Sequence, residues 1–230
     1  MIFLTLIEHT QPPGRAGGTD FVLRKAESWV SMTGQKQKGN GGGKIMELIG
    51  FEKVKDGKYL KNYELTYLNK LGREKKYEIV SRRELRSAED LGAKPSGVSI
   101  VATNNDKLLL LHEFRMGVNQ TVYNLCAGML EDGEDIETCI ARELYEETGL
   151  KVKEIKKILP PSFAAVAFSD TTTYIAFAEV EGDFEDNSSE NEQIEARFYT
   201  REEVTDLIEN EEAFSSRAQM AAYFFTLGAM

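Results

Sequence analysis

Gly128-Met-Leu-Glu-Asp-Gly-Glu134, then seven residues, then Arg142-Glu143-Leu144-Tyr145-Glu146-Glu147-Thr148-Gly149-Leu150: on this stretch the reading of the chain turns. Residues three and four apart on a helix are surface neighbours, so Glu143, Glu146 and Glu147 crowd one another with no lysine among them, and like charges at that spacing cost a few tenths of a kcal/mol, roughly 0.2–0.5 per pair. A chain that keeps this repulsion has a cation to put there. Gly128 and Gly133 mark irregular backbone, Asp135 is placed as an N-cap, and Ile136, Ile140 and Leu144 form a stripe that turns one helix face into the core. Gly149 falls where a helix ends in a left-handed residue. The glutamates then project on another face, beside the loop that begins at Gly128.

Carboxylate oxygens without a histidine nearby suit a hard cation, so Mg²⁺ is the expected ion, with Mn²⁺ as the other candidate. At such a site a metal screens a diphosphate from the acidic helix and lowers the pKa of an attacking water, which is the chemistry of phosphoanhydride hydrolysis. The competing reading, a solvated acidic helix, normally interleaves Lys with Glu.

The pattern Gly-x5-Glu-x7-Arg-Glu-Leu-x-Glu-Glu-x-Gly-Leu resembles the Nudix box at all nine constrained positions. The resemblance implies an α/β/α sandwich around a mixed β-sheet and cleavage of a nucleoside diphosphate linked to another moiety. By the family pattern Glu143 and Glu147 are metal ligands, Glu146 assists, and the carbonyl of Ala127 or Gly128 adds an oxygen. Arg142 and Glu134 brace the loop against the helix.

Length and composition fit one catalytic domain with an extension: 230 residues, 41% hydrophobic and 10% aromatic. A net charge of −10 argues against nucleic acid or an anionic membrane as partner, so an anionic substrate must be met by local arginines and metal. Cys126 and Cys139 form neither a CxxC pair nor a histidine-bearing zinc pattern, and they read as small core residues in a reducing, cytoplasmic compartment. Only His9 and His112 exist, which disfavours histidine-based general base chemistry. No apolar run reaches the length of a membrane span. The apolar start Met1 to Ile7 has no basic leader, so a secretory signal is not expected.

Residues 1–45 differ from the rest. They hold eight of the nineteen glycines and six Lys/Arg against three Asp/Glu, so they carry +3 while the remainder carries −13. They read as a flexible Gly-rich extension, a misassigned start or non-native residues, with the Nudix-like domain over 46–230. Within it, 46–92 reads as leading strands and 93–230 as the catalytic core. Tyr63 to Leu68 and Lys76 to Val80 alternate around a turn at Asn69 to Gly72, an antiparallel β-hairpin. A second hairpin spans Gly97 to Ala102 and Leu108 to Glu113. Further strands are expected near Val122 to Leu125, Val152 to Leu159, Thr172 to Val180 and Glu195 to Tyr199, with closing helices near Arg201 to Glu209 and Phe214 to Leu227.

A hairpin leading into this core resembles the ADP-ribose pyrophosphatase branch of the family, in which the leading strands contribute to a homodimer interface and to the nucleotide pocket. Tyr77-Glu78-Ile-Val-Ser-Arg82 resembles the branch's aromatic-Glu-x-x-x-Arg segment, and Glu113-Phe114-Arg115 its Gln/Glu-aromatic-Arg segment. Carried over, Tyr77 stacks on adenine, while Arg82 and Arg115 hold the diphosphate, their guanidinium forks matching phosphate oxygens. The general base is expected from the loop Ser189-Glu190-Asn191-Glu192-Gln193-Ile194, with Glu192 first and Glu190 second, or from within the box itself, where Glu146 is the candidate.

Two departures bear on the substrate. The branch's Glu-Leu-Pro-Ala-Gly is Asn124-Leu-Cys-Ala-Gly128 here, and Ala167-Phe-Ser-Asp-Thr171 replaces a Ser-Pro-Gly-x-Ser-Asp-Glu-like loop expected on the sugar side. Three readings stand. The favoured one is Mg²⁺-dependent hydrolysis of ADP-ribose or a related nucleotide sugar to AMP and a sugar phosphate. The others are a house-cleaning nucleoside triphosphate pyrophosphohydrolase and a ligand-sensing domain without turnover.

Overall fold

The computed structural model describes residues 46–185 and 190–229; the extension expected over 1–45 lies outside the described residues. Two sheets form. The first is antiparallel, in the order β1 (Glu47–Asp56), β2 (Lys61–Leu68), β3 (Glu74–Ser81). Its β2–β3 pair is the hairpin expected around Asn69, whose side chain accepts from the amides of Leu71 and Arg73 to close the turn. The sequence pattern showed two of these strands, and β1 makes a third. One face of the sheet closes over Tyr63, Leu65, Ile79 and Leu85, a small core of its own.

The second sheet has seven strands: β4 (Gly97–Asn104), β5 (Lys107–Arg115), β6 (Gln120–Asn124), β7 (Cys126–Met129), β8 (Lys151–Phe163), β9 (Thr172–Glu181) and β10 (Ile194–Tyr199). The path runs β10-β5-β4-β9-β8, with β4 and β9 parallel and the other pairs antiparallel, so the sheet is mixed. β8 continues through Pro160 and Pro161 beyond its expected end. It can do so because it stands at the end of the path with only β9 as partner, and an edge strand tolerates a missing amide donor.

β5 shows why this is a sandwich. Leu108 to Leu111 are four successive buried leucines, which a strand permits only when both its faces are covered. Leu109 and Leu111 pack with Cys139, Ile140 and Leu144 of helix α1 (Ile136–Thr148). Leu108 and Leu110 pack on the other face with Val204 of α2 (Arg201–Glu209) and Ala218, Ala222 and Phe225 of α3 (Ser216–Thr226). Both cysteines are buried and free, as core residues should be. No described helix is long and apolar enough to cross a membrane.

The β4–β5 hairpin stays paired only at Thr103↔Leu108 and Asn104↔Lys107. Beyond that the two strands part. β6 adds to β5 and β7 adds to β4, so the chain crosses the split at Leu125. The box carboxylates and the arginines gather around this split.

Candidate active site

Helix α1 begins and ends where its sequence dictates. Asp135 caps it by accepting from the Thr138 amide at 2.9 Å, and Gly149 closes it in the left-handed region at φ 76°, with its amide donating to the Tyr145 carbonyl. The buried stripe is Cys139, Ile140, Leu144 and Thr148, with Ile136 partly covered. This seating turns Glu143 and Glu147 toward β7 and leaves Glu146 outside.

The approach of helix to strand is close. A Cβ on Gly128 would lie 1.6 Å from the Glu143 carboxyl carbon, so only glycine lets that carboxylate pass under the strand. Glu147 accepts the Ala127 amide at 3.1 Å. In a strand, a residue's amide and carbonyl point to the same side. Ala127 therefore presents its carbonyl to α1, whereas Gly128, one residue on, faces β4.

Arg142 is the brace expected of it. Its guanidinium donates to Glu134 at 2.8 and 2.9 Å and to the Met129 carbonyl at 2.9 Å, and Glu134 in turn accepts the Glu131 amide at 3.0 Å. The same guanidinium reaches Glu143 at 2.9 Å and Glu146 at 3.1 Å. The crowding read from the helix wheel is thus relieved in part by an arginine within the box. Glu134 is held down to a pKa of about 2, chiefly by the Arg142 hydrogen bonds.

Glu147 is different. Burial pushes its carboxyl up to about 8, against the pull of the Cys126 thiol and the Ala127 amide, and the charges of Glu113 and Glu143 add to the rise. Burial raises Glu143 as well, opposed by Arg142. A partly buried carboxylate crowded by two others, beside an outward-turned carbonyl, is a hard-oxygen donor set that suits a divalent cation. Among the described residues no three His, Cys, Asp or Glu side chains yet converge on one point, since Arg142 draws Glu143 and Glu146 to itself. The donors fit the ion in kind.

Glu113 links this corner to a cleft of about 670 Å³ at the mouth of the split. It is buried in β5, accepting from Asn124 Nδ2 through one oxygen and from Arg115 at 3.2 Å through the other. Asn124 Oδ1 accepts the Leu125 amide and the Ser215 hydroxyl, tying β6 to the start of α3. Arg82, Arg115 and Glu192 line the cleft together. The β10–β5 register pairs Ile194 with Glu113, and Phe114 donates to the Gln193 carbonyl at 3.0 Å, so the turn bearing Glu192 lies alongside Arg115. Glu190 is exposed in the same turn and does not line the cleft; Ser189 lies outside the described residues.

Tyr77 stands elsewhere. It lines a second hollow of about 300 Å³ with Leu65, Phe163 and Asp170, and its hydroxyl donates to the Ala167 carbonyl. In the Ala167 to Thr171 loop the Phe168 carbonyl accepts the Val80 amide at 2.8 Å and Asp170 lies 3.7 Å from Arg83, so the loop fastens the three-stranded sheet to the seven-stranded one. Within one chain the aromatic residue and the arginines expected to share a nucleotide occupy separate recesses. Sequence reasoning missed Glu113 as a site residue, although a charge that continues a run of four buried leucines was a visible signal. It also missed Asn124 and Arg217, which meet the cleft only through tertiary folding.

A buried carboxylate corner beside an arginine-lined cleft, set at a split in a mixed sheet between helical layers, defines a hydrolase of phosphate anhydrides. The NUDIX domain model matches residues 93–223, and the chain belongs to that family. It is 28% identical over 144 residues to an ADP-ribose pyrophosphatase of Bacillus subtilis (strain 168), which covers 61% of this chain and 77% of that protein. It is 29% identical over 134 residues to an ADP-sugar pyrophosphatase of Mus musculus, covering 57% of this chain and 60% of the relative. A solved structure described as an ADP compounds hydrolase superposes with a TM-score of 0.62 at 19% identity, covering 83% of this chain and all of that one, which is a likeness of fold.

Proposed function

We propose that the protein hydrolyses the diphosphate of ADP-ribose or a related nucleotide sugar, releasing AMP and a sugar phosphate. The observation that carries this reading is the meeting at one strand end of Glu143, Glu147 and buried Glu113 with the arginine-bearing cleft. Pyrophosphatases of ADP-ribose and ADP-sugars among the relatives support the nucleotide part of the substrate.

Glu143, Glu147 and the Ala127 carbonyl would hold Mg²⁺, with Glu146 joining from the exposed side and Mn²⁺ as a substitute. When bound, the cation supplies charge neutralisation of the diphosphate and a more acidic water. The remaining work falls to the chain. Arg115 and Arg82 clamp diphosphate oxygens with planar, paired donors, and Glu113 fixes Arg115 from behind. Glu192 takes the proton from the attacking water, with Glu190 as the second candidate and Glu146 as the one inside the box. Tyr77, in its separate hollow, receives adenine from the same or from a second subunit of a homodimer built through the three-stranded sheet.

The test is a product assay in Mg²⁺ across ADP-ribose, other nucleotide sugars, dinucleoside polyphosphates and nucleoside triphosphates, with sedimentation at the assay concentration. AMP from ADP-ribose or nucleotide sugars by a dimer is the expected outcome. Cleavage of nucleoside triphosphates alone would replace the substrate class, and a monomer would refute a pocket shared between subunits.

A further inference from the structure

We propose that Arg217, on the first turn of α3, is a substrate-specificity residue that receives a phosphoryl group lying outside the scissile diphosphate. The inference rests on the reaction proposed above for its substrate, and on its own geometry for the residue.

Among the described residues four arginines have carboxylates within reach. Arg142 has Glu134, Glu143 and Glu146; Arg197 has Glu203; Arg83 faces Asp170; Arg115 holds Glu113. Arg217 is half-buried in the wall of the 670 Å³ cleft, and among the described residues its guanidinium has neither an ion pair nor a hydrogen bond. Loss of water lowers the pKa of its guanidinium from the ordinary arginine value. Taking a cation out of water without a counter-charge is unfavourable, and a guanidinium cannot escape by deprotonating. An anionic ligand removes that penalty.

Its surroundings lean the same way. In a chain of net charge −10, three arginines, Arg82, Arg115 and Arg217, line this cleft against two glutamates, Glu113 and Glu192. Glu113 is already engaged by Arg115 and Asn124. Asn124, a neutral amide hydrogen-bonded to Ser215 just before α3, lines the same cleft. Arg82 and Arg115 suffice for one diphosphate, so Arg217 is surplus to it. Arg217 also lines an adjoining apolar groove with Leu125, Phe177 and Phe224, where a long aliphatic stem can lie. The third phosphoryl group has two sources: a phosphomonoester on the distal sugar, or the next phosphate of a longer polyphosphate chain.

The experiment compares the wild type with Arg217→Met, which keeps the stem and removes the charge, and Arg217→Lys. Turnover is measured on ADP-ribose, on ADP-ribose phosphorylated at its distal sugar, and on diadenosine triphosphate. Binding of inorganic tripolyphosphate and pyrophosphate is followed by calorimetry. Arg217→Met should raise KM about ten- to a hundredfold for one of the two substrates bearing three phosphoryl groups, which identifies the source, while KM for ADP-ribose stays within about twofold. Lysine should recover part of the loss. Equal losses on all three substrates, or no loss on any, overturn the proposal. If the wild type cleaves none of them, the reaction falls while the residue is still judged: a tripolyphosphate preference over pyrophosphate that collapses in Arg217→Met sustains it, and an unchanged preference ends it.

Discussion

Helix α1 and the turn at Glu190 to Gln193 both bring carboxylates toward Glu113, and they do so by opposite means. On α1 the acids are placed by packing: a buried stripe, two caps and a glycine gap leave Glu143 and Glu147 almost no choice of position. In the turn, Glu192 is placed by a backbone bond from Phe114 to Gln193 and by the run-in to β10, with its own side chain in the open mouth of the cleft. Carboxylates seated by packing stand in the core, while the one set by a surface turn is exposed, as binding and catalytic residues carried on loops generally are.

Four substitutions sharpen or break that contrast. Glu147→Gln should give the largest effect, a loss of turnover well beyond a hundredfold, since even the partners that merely orient a metal's ligands are worth about 10–100-fold. The thermal midpoint should not fall, because a neutral amide replaces a carboxyl that burial already disfavours as an anion. Near-normal rates in Mg²⁺ would remove Glu147 from the ligand set. Next, Glu192→Gln should lower kcat by about a hundredfold or more at unchanged stability, the usual worth of a general base, while Glu190→Gln stays within a fewfold. The reverse order would exchange their roles, and two mild variants would return the base to the box.

The smallest effect is expected at the brace. The Glu134 carboxyl falls from the ordinary 4.5 to about 2 in the folded protein, so its stabilisation is complete above pH 4.5 and is lost as the pH drops through about 2. Glu134→Gln lacks it. The gap between the denaturation midpoints of wild type and variant should be constant from pH 5 to 7, narrow below 4.5 and close near 2. A gap that persists to pH 2 would mean that Arg142 is held by something other than this charge.

The parts that were legible in the sequence are those whose causes are local. The helix of the box, its cap at Asp135, its stop at Gly149 and both hairpins are written in residues a few places apart, and they stand where the spacing put them. The third leading strand was less visible because Glu47 to Asp56 alternates weakly, and most of its residues stay exposed. The division of Asn124 from Cys126 into two strands depends on the parting of β4 from β5, which no window of sequence displays. For the same reason Arg82, Arg115, Glu192 and Arg217 could be named or overlooked one by one, but their assembly in one cleft, with Tyr77 outside it, is a property of the fold.

The four leucines of β5 have a last consequence. Because both sides of that strand are greasy, oiliness alone cannot say which way it faces, and a frame shift of a single residue would merely trade leucines between two equally welcoming layers. What breaks the tie is Glu113, whose two neighbours exist on one side only. An added residue in the Asn105–Asp106 turn should therefore yield a protein that still condenses and still looks folded, yet has its acid pointing into the wrong half of the molecule.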